Sequence, residues 1–168
     1  MPIPSFDSRG NLPPGIHLAS WSEFVVRFGT GRRRSKMMRG LADALMALLA
    51  AGCNLVYVDG SFVTAKTEPG DFDACWSVDS VDEEALDSVF LTFDNGRAAQ
   101  KARFGGELFP AEIPEGLSGR TFVDFFQVDK ETGLPKGIVS LALSEELVQQ
   151  RSLQVQIDQL IPNDEEVA

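Results

Sequence analysis

Two stretches of the chain carry apolar residues at helical spacing. The first follows Ser20-Trp21-Ser22-Glu23, where Ser20 at the N-cap and Glu23 three residues later form a capping box. This pattern predicts a short helix that ends at about Phe28. In the second stretch, residues 35–51, apolar side chains recur every three to four positions up to Gly52, which predicts one long helix.

Shorter apolar runs predict the strands. Residues 54–58 and 71–78 have the length and composition of two strands separated by a Gly-rich connection. Residues 120–128 (Arg-Thr-Phe-Val-Asp-Phe-Phe-Gln-Val) are rich in aromatic and branched side chains and give the strongest β signal. A turn then leads to residues 138–143, which we expect to pair with residues 120–128 as a hairpin.

The remaining patterns complete the fold class. We expect one helical turn over 62–66 and helices over 82–90, 96–103 and 144–160. Helices that alternate with strands, followed by a hairpin, predict an α/β (α+β) fold, in which a mixed β-sheet is flanked by helices.

The domain organisation follows from length and from the two ends. At 168 residues the chain has the size of one domain. Residues 1–19 are rich in Pro and Gly and predict an extended arm, residues 20–160 form the domain, and residues 161–168 are an acidic tail.

Charge and composition narrow the function classes. The net charge of −10 at pH 7 argues against extended duplex DNA binding, which needs a broad basic surface. No apolar run reaches 18 residues and no signal-peptide pattern occurs, so we expect a cytoplasmic protein without a membrane span. Cys53 and Cys75 lie in apolar runs and are expected to be buried, reduced thiols.

The candidate chemistry lies around Gly60 and Ser61. They follow the first predicted strand, and ten residues after Ser61 the pair Asp71 and Asp73 opens the second strand. Alternate residues of a strand face the same side, roughly 6–7 Å apart, so the two carboxylates repel each other unless a divalent cation binds them. A Gly-Ser turn allows close backbone approach to a phosphate, and the hydroxyl can donate to it. Asp59, just before the turn, is given no role.

This arrangement resembles the signature of the DNA polymerase beta-like nucleotidyltransferase superfamily. It is most similar to the minimal nucleotidyltransferases, some of which are antitoxins in bacterial toxin–antitoxin pairs. The longer run from Asp59 to Asp73, with an Arg-rich stretch and Pro13-Pro14-Gly15 before it, also resembles a bacterial branch of that superfamily. The resemblance implies a helix-flanked mixed sheet, an NTP substrate, and Mg²⁺ or Mn²⁺ bound by Asp71 and Asp73.

The resemblance also implies a third carboxylate on a neighbouring strand. Asp124 fits, because it interrupts the apolar run 122–126, where an unpaired carboxylate is costly to bury. Asp129 is the alternative, although it lies at the predicted strand end, where a turn Asp is common. We therefore predict Asp71, Asp73 and Asp124 as catalytic and metal-binding residues.

Basic residues supply the candidate phosphate contacts. By the resemblance, Gly60 and Ser61 hold the β- and γ-phosphates, and Lys66 is a further candidate. Of 15 basic residues, six fall between Arg27 and Arg39, at a helix start where positive charge is disfavoured. A nearby anion would compensate for this charge, so Arg33 and Arg34 are predicted phosphate contacts, with Lys101 and Arg103 as weaker candidates. The alternative is a solvated basic patch.

Two functional hypotheses follow. The first is a metal-dependent nucleotidyltransferase that moves NMP from an NTP to a protein or RNA acceptor, as the antitoxin of a toxin–antitoxin pair. The lone His17 lies in the arm, which leaves metal and carboxylate to activate the acceptor. The second is a catalytically inactive nucleotidyltransferase fold that binds and neutralises a protein toxin.

Overall fold

The computed structural model describes residues 3–148 and 152–161, which form a mixed α/β fold around one five-stranded sheet. This confirms the predicted fold class. The strands run in the spatial order β1-β5-β2-β3-β4. Their bounds are β1 Gly15–Ala19, β2 Leu55–Asp59, β3 Phe72–Trp76, β4 Gly106–Pro110 and β5 Gly137–Ala142.

The described residues contain six α-helices and two short 3₁₀ turns. The 3₁₀ turns are Gly60–Val63 and Ser88–Leu91. The helices are α1 Trp21–Phe28, α2 Arg32–Ala50, α3 Asp94–Phe104, α4 Phe122–Phe125, α5 Glu145–Val148 and α6 Leu153–Leu160. The capping box is present as predicted, because the Ser20 side chain accepts a hydrogen bond from the Glu23 backbone N–H at 3.1 Å.

The strand pairing brings the ends of three strands together on one side of the sheet. Strand β2 is antiparallel to both β3 and β5, whereas β1 lies parallel to β5 and β4 lies parallel to β3. In this register Asp59 is opposite Asp73, and Asp73 is beside Glu107. Paired residues share a face of the sheet, so three carboxyl-bearing positions of adjacent strands lie side by side.

The two faces of the sheet have different cores. Inward residues of the strands, among them Val56, Ala74 and Leu108, belong to the main hydrophobic core together with α1 and α2. The opposite face is covered by a smaller cluster in which Phe122 and Phe126 pack on Phe109, with ring centroids 4.8 and 5.3 Å apart. The three carboxyl-bearing positions belong to this second face.

Residues 120–128 are therefore not a strand, and that prediction was wrong. The segment contains the single turn of α4, which begins at Thr121, whose side chain accepts from the Asp124 N–H at 3.4 Å. Its aromatic residues cover the second sheet face instead of extending the sheet. Strand β5 accordingly pairs with β1 and β2 rather than forming the predicted hairpin.

Two strands were not predicted. Strand β1 lies within the segment expected to be an extended arm, and β4 follows Gly105 and precedes a loop. Both have five residues and carry Gly at one end, so their local signal is weak. They are parallel neighbours of β5 and β3, and pairing with these distant strands makes them strands.

Two predicted helices also differ from the structure. Residues 82–90 form turns that lead into the 3₁₀ segment Ser88–Leu91 rather than a helix. The predicted helix over 144–160 is represented by the separate helices α5 and α6, and residues 149–151 lie outside the described part of the chain. The acidic tail also falls outside it, apart from Ile161.

Two expectations from composition can be compared with the structure. Cys53 and Cys75 are free and buried, as predicted. Within residues 3–148 and 152–161, none of the helices combines the length and the apolar character needed to cross a lipid bilayer.

Candidate functional site

The Gly-Ser turn and a carboxylate are in close contact at the end of β2. Gly60 has φ of +75°, a conformation that favours glycine, and begins the 3₁₀ turn. A Cβ atom at this position would lie 2.3 Å from Oδ2 of Asp73, so only glycine leaves room for that carboxylate. The strand register and the turn thus place Gly60 directly against Asp73.

These residues line a cleft of about 470 Å³, which we call the Gly-Ser cleft. Gly60, Ser61 and Asp73 form part of its wall. Four cationic side chains also line it, namely Arg9, Lys66, Lys130 and Lys136. The cleft therefore combines backbone and hydroxyl groups, four cationic side chains and three carboxyl groups, those of Asp73, Asp129 and Glu131, a composition suited to an anionic ligand that carries a cation.

Asp59 is the most unusual carboxyl group of the site. It is fully buried; among residues 3–148 and 152–161 its Oδ1 has no hydrogen-bond partner, and its Oδ2 accepts only from the Cys75 thiol at 3.8 Å. Burial, followed by the charge of Asp73, raises its pKa well above the usual range. Burial therefore favours the protonated form of Asp59, and a cation bound beside it would favour the ionised form. The sequence analysis gave this residue no role, although an Asp at the end of an apolar strand is the signal that could have identified it.

Asp73 is also a perturbed acid. Burial is the main cause and the nearby charge of Glu107 the second, and together they raise its pKa to about 6, against the opposing effect of Lys130 and Lys136. A carboxylate held in this state releases free energy when a cation binds it, because the cation relieves both desolvation and repulsion.

Glu107 is the carboxylate that adjoins Asp73 on the neighbouring strand. Its oxygens contact Nζ of Lys101 at 2.9 Å and Nε of Arg97 at 3.3 Å. Burial opposes the ionisation of Glu107, but the hydrogen bonds from Lys101 and Arg97 outweigh it and lower the pKa. Arg97 reaches this position from a left-handed turn, with φ of +63°, in the first part of α3. Glu107 is thus charged and already paired.

The predicted third carboxylate does not lie beside the pair. Asp124 is exposed on α4 and lines neither the Gly-Ser cleft nor a strand. Asp129, the alternative, does line the Gly-Ser cleft, where its Oδ2 accepts from Nδ2 of Asn11 at 3.2 Å. Glu107 occupies the strand position next to Asp73 that was expected for Asp124. It was missed because β4 was not recognised, since the segment Gly-Glu-Leu-Phe-Pro is short and carries little strand signal of its own.

Asp71 lines a different cleft from Asp73. This second cleft, of about 430 Å³, lies between α2, α3 and the loop before β3. Its cationic side chains are Arg33, Lys36, Lys101 and Arg103, and we call it the four-cation cleft. No three Asp, Glu, His or Cys side chains of the described residues stand close enough together to hold a metal ion by themselves. The two predicted metal ligands therefore line two different clefts, each of which also carries four cationic side chains.

Arg34 has a structural environment rather than the predicted phosphate contact. Its guanidinium is buried and donates four hydrogen bonds to backbone carbonyls: Phe28 at 3.1 Å, Phe62 at 2.6 Å, Thr64 at 2.9 Å and Lys66 at 2.6 Å. Burial lowers its pKa. Three of the four carbonyls belong to the Gly-Ser turn or to the loop after it, so Arg34 fixes the shape of that loop, and both of its terminal nitrogens are used within the chain.

The other two predicted phosphate contacts lie in separate places. Arg33 is exposed in the four-cation cleft, where its Nε donates to the Pro69 carbonyl at 2.6 Å. Lys66 is exposed at the Gly-Ser cleft. The basic cluster of the sequence is thus divided between one buried and several exposed positions.

Comparison with known proteins gives one match. The model for a family of unknown function, DUF6932, matches residues 4–142, which include both clefts and all five strands. Searches of curated proteins and of solved structures found no match. The comparisons therefore identify the family of the chain but give no activity, and the function has to be argued from the site.

Proposed function

The chain belongs to the DUF6932 family, and we propose that it is a metal-dependent nucleotidyltransferase that moves NMP from an NTP to an acceptor. The observation that carries this proposal is the contact between Gly60 and the Asp73 carboxylate inside a cation-lined cleft. A phosphate-binding turn and a carboxylate that can bind a metal are the two parts that metal-bound triphosphate chemistry requires at one point.

The residues of the Gly-Ser cleft have distinct roles in this proposal. The backbone at Gly60 and the hydroxyl of Ser61 hold the outer phosphates, and Lys66, Lys130 and Lys136 compensate for their charge. Arg34 keeps the turn in the required shape through its hydrogen bonds to the Phe62 and Thr64 carbonyls. The positive charges also keep an anionic triphosphate near an otherwise acidic protein.

The donor set fits a magnesium or manganese ion. Asp71 and Asp73 offer hard oxygen ligands, and the unpartnered Oδ1 of Asp59 leaves a buried acceptor beside Asp73. Mg²⁺ is commonly held by one or two carboxylates together with substrate phosphates and water, so a complete protein cage is not required. When bound, such an ion stabilises the attacking and leaving oxygens of a phosphoryl displacement.

The reaction is an in-line substitution at the α-phosphorus. The acceptor oxygen forms a bond to this phosphorus while the bond to the bridging oxygen breaks and pyrophosphate leaves. The acceptor proton passes to a carboxylate of the cleft that does not hold the metal, for which Asp129 in the cleft wall is available. Glu107, held by Arg97 and Lys101, maintains the negative charge next to Asp73.

The test compares nucleotide binding in matched variants. An NTP with Mg²⁺ should raise the melting temperature of the wild type, because a ligand that binds only the native state stabilises it. The double variant Asp71→Asn, Asp73→Asn should lose this shift and the transfer of label from an α-labelled NTP, whereas Asp124→Asn, at an exposed carboxylate outside the cleft, should retain both. An undiminished shift in the double variant would contradict the proposed site.

A second function is favoured by one observation. Both oxygens of Glu107 are engaged by Lys101 and Arg97, which leaves this carboxylate unavailable to a metal in the structure. A catalytically inactive fold that binds a protein partner, such as a toxin, would retain this ion-pair network. Nucleotide binding without any transfer of label to protein or RNA would support this second function.

A further inference from the structure

The four-cation cleft is a concentration of positive charge on a protein of net charge −10. Arg33 and Lys36 come from the first turns of α2, and Lys101 and Arg103 from the last turn of α3. All four side chains are exposed, and Asp71 is the one carboxylate in the lining. The cleft is separate from the Gly-Ser cleft but begins at the residue two positions before Asp73.

The charges of this cleft are incompletely compensated. Lys101 is paired with Glu107 and Arg103 with Asp87, at 2.9 and 2.5 Å. Arg33 donates through Nε to a backbone carbonyl, which leaves its terminal nitrogens without a hydrogen-bond partner among the described residues. Lys36 likewise has no hydrogen bond or ion pair among residues 3–148 and 152–161. Two cations therefore face the cleft with unused donors.

The juxtaposition depends on a close contact between the two helices. A Cβ atom at Gly40 of α2 would lie 1.8 Å from the Phe104 carbonyl oxygen at the end of α3. Gly40 thus lets the basic last turn of α3 approach the basic first turns of α2. Fixed helices hold the four charges around one volume, unlike cations scattered over a surface.

We propose that the four-cation cleft binds the phosphates at the end of a single-stranded RNA, the acceptor of the proposed transfer. The role as acceptor rests on the proposed function, whereas RNA binding at the cleft does not. The terminal phosphodiesters pair with Arg33, Lys36 and Arg103, and the strand end reaches Asp71 at the boundary with the Gly-Ser cleft. The acceptor hydroxyl is thereby brought to the carboxylates from the side opposite the triphosphate-binding turn.

Size and charge favour an RNA end over a protein or a duplex. A volume of about 430 Å³ accommodates one or two nucleotides but no folded protein surface. Arginine guanidinium groups match phosphate oxygens in two-point geometry. The acidic surface elsewhere repels a long polyanion, so the attraction is confined to the cleft, as an end-binding mode requires.

The test measures RNA binding by fluorescence anisotropy, without NTP or metal. A short fluorescein-labelled single-stranded RNA is titrated with the wild type, with Lys36→Glu and with the matched control Arg120→Glu. Lys36 and Arg120 are both exposed, and both variants change the net charge by the same amount, but Arg120 lies outside the cleft. Lys36→Glu should weaken binding roughly three- to fivefold, the scale of one exposed ion pair, and Arg120→Glu should leave it unchanged.

The salt dependence provides a second readout. Each phosphate contact on a single strand contributes about −0.7 to the slope of log K against log salt concentration, so Lys36→Glu should reduce the slope by about that amount. Equal losses in both variants, or unchanged binding in Lys36→Glu, would overturn the proposal. Competition by polyglutamate as effective as that by unlabelled RNA would also overturn it, in favour of an acidic protein partner.

The outcomes separate this proposal from the proposed activity. Selective loss of RNA binding in Lys36→Glu, with no transfer of label from NTP to RNA in the wild type, would support the RNA site and contradict the proposed transfer of NMP to RNA. Transfer of label to RNA that is equally fast in the wild type and Lys36→Glu would retain the activity and remove the cleft as the acceptor site.

Discussion

The two clefts at the start of β3 are built on opposite principles. At the Gly-Ser cleft two carboxyl groups are enclosed: burial raises the pKa of Asp73, which lines the cleft, and Asp59, its partner in the strand register, is fully buried. In the four-cation cleft the four cationic side chains are exposed to solvent. Buried charge is strongly coupled to folding, while exposed charge is screened by water and salt. Substitutions of buried charges in the first region should therefore change stability, and substitutions of the exposed charges in the second should change binding alone.

The largest effect on stability is expected for Arg34→Met. The substitution leaves buried backbone carbonyls, including those of Phe62 and Lys66, without donors. Loss of a buried, hydrogen-bonded charge costs on the order of 3–5 kcal/mol. Urea unfolding measures it, with Arg32→Met as the control, because Arg32 is exposed on the same helix. A loss no larger than that of the control would show that the loop keeps its shape without Arg34.

The second effect is a pH-dependent gain in Asp73→Asn. Since the folded pKa of about 6 exceeds the ordinary value of 3.8, the ionised side chain destabilises the native state increasingly as the pH rises from 3.8 to about 6, and constantly above it. Asparagine does not titrate, so the variant should be more stable by about 3 kcal/mol above pH 7 and by less than about 1 kcal/mol near pH 4.

The measurement is denaturant unfolding across this pH range in buffer with EDTA. Asp124→Asn serves as the control, because Asp124 is exposed, and it should stay within about 0.5 kcal/mol of the wild type. A difference between Asp73→Asn and the wild type that does not vary with pH would mean that Asp73 has an ordinary pKa in the native state.

A smaller loss is expected for Gly40→Ala, which sharpens the comparison because it links helix packing to the four-cation cleft. The new Cβ would clash with the Phe104 backbone, and such overpacking costs about 1–3 kcal/mol, partly offset by up to about 1 kcal/mol of helix propensity. Gly70→Ala is the control, since an added Cβ there meets no atom within 4 Å. The measurement is the melting temperature of the two variants. Equal melting temperatures would contradict the close contact between Gly40 and Phe104.

The smallest effect is expected for Lys36→Gln. The side chain is exposed and has no ion pair among the described residues, so the free energy of unfolding should change by less than about 0.5 kcal/mol. RNA affinity should nevertheless fall, which would separate binding from stability in this cleft. A stability loss as large as that of Arg34→Met would remove the distinction between the two regions.

The chain sequence was informative wherever a signal is local. The capping box at Ser20, the long helix α2 and the strands β2 and β3 are specified by short-range patterns, and each was predicted close to its observed bounds. The Gly-Ser turn was predicted as well, because Gly-Ser directly after an apolar strand is a local signal. The buried, reduced state of both cysteines followed from the apolar runs around them.

The sequence was misleading where the outcome depends on distant partners. Residues 120–128 have high β propensity, but the second face of the sheet needs cover, and their aromatic side chains provide it from a helical turn. Strand β4 has little propensity of its own, yet pairing with β3 makes it a strand and places Glu107 beside Asp73. The arginines of the basic cluster are alike in sequence, and only packing decides that Arg34 is buried while Arg33 is exposed.

The sequence by itself therefore determined the fold class and the position of the Gly-Ser turn at the end of β2. Only the tertiary structure decided which carboxylates neighbour them and which cations share a cleft. The physical reason is that turn conformation and amphipathic periodicity depend on neighbours in the chain, whereas strand order and register depend on side chains far apart in sequence. Electrostatic perturbation, as at Asp59, arises from burial and so appears only once the sheet has formed.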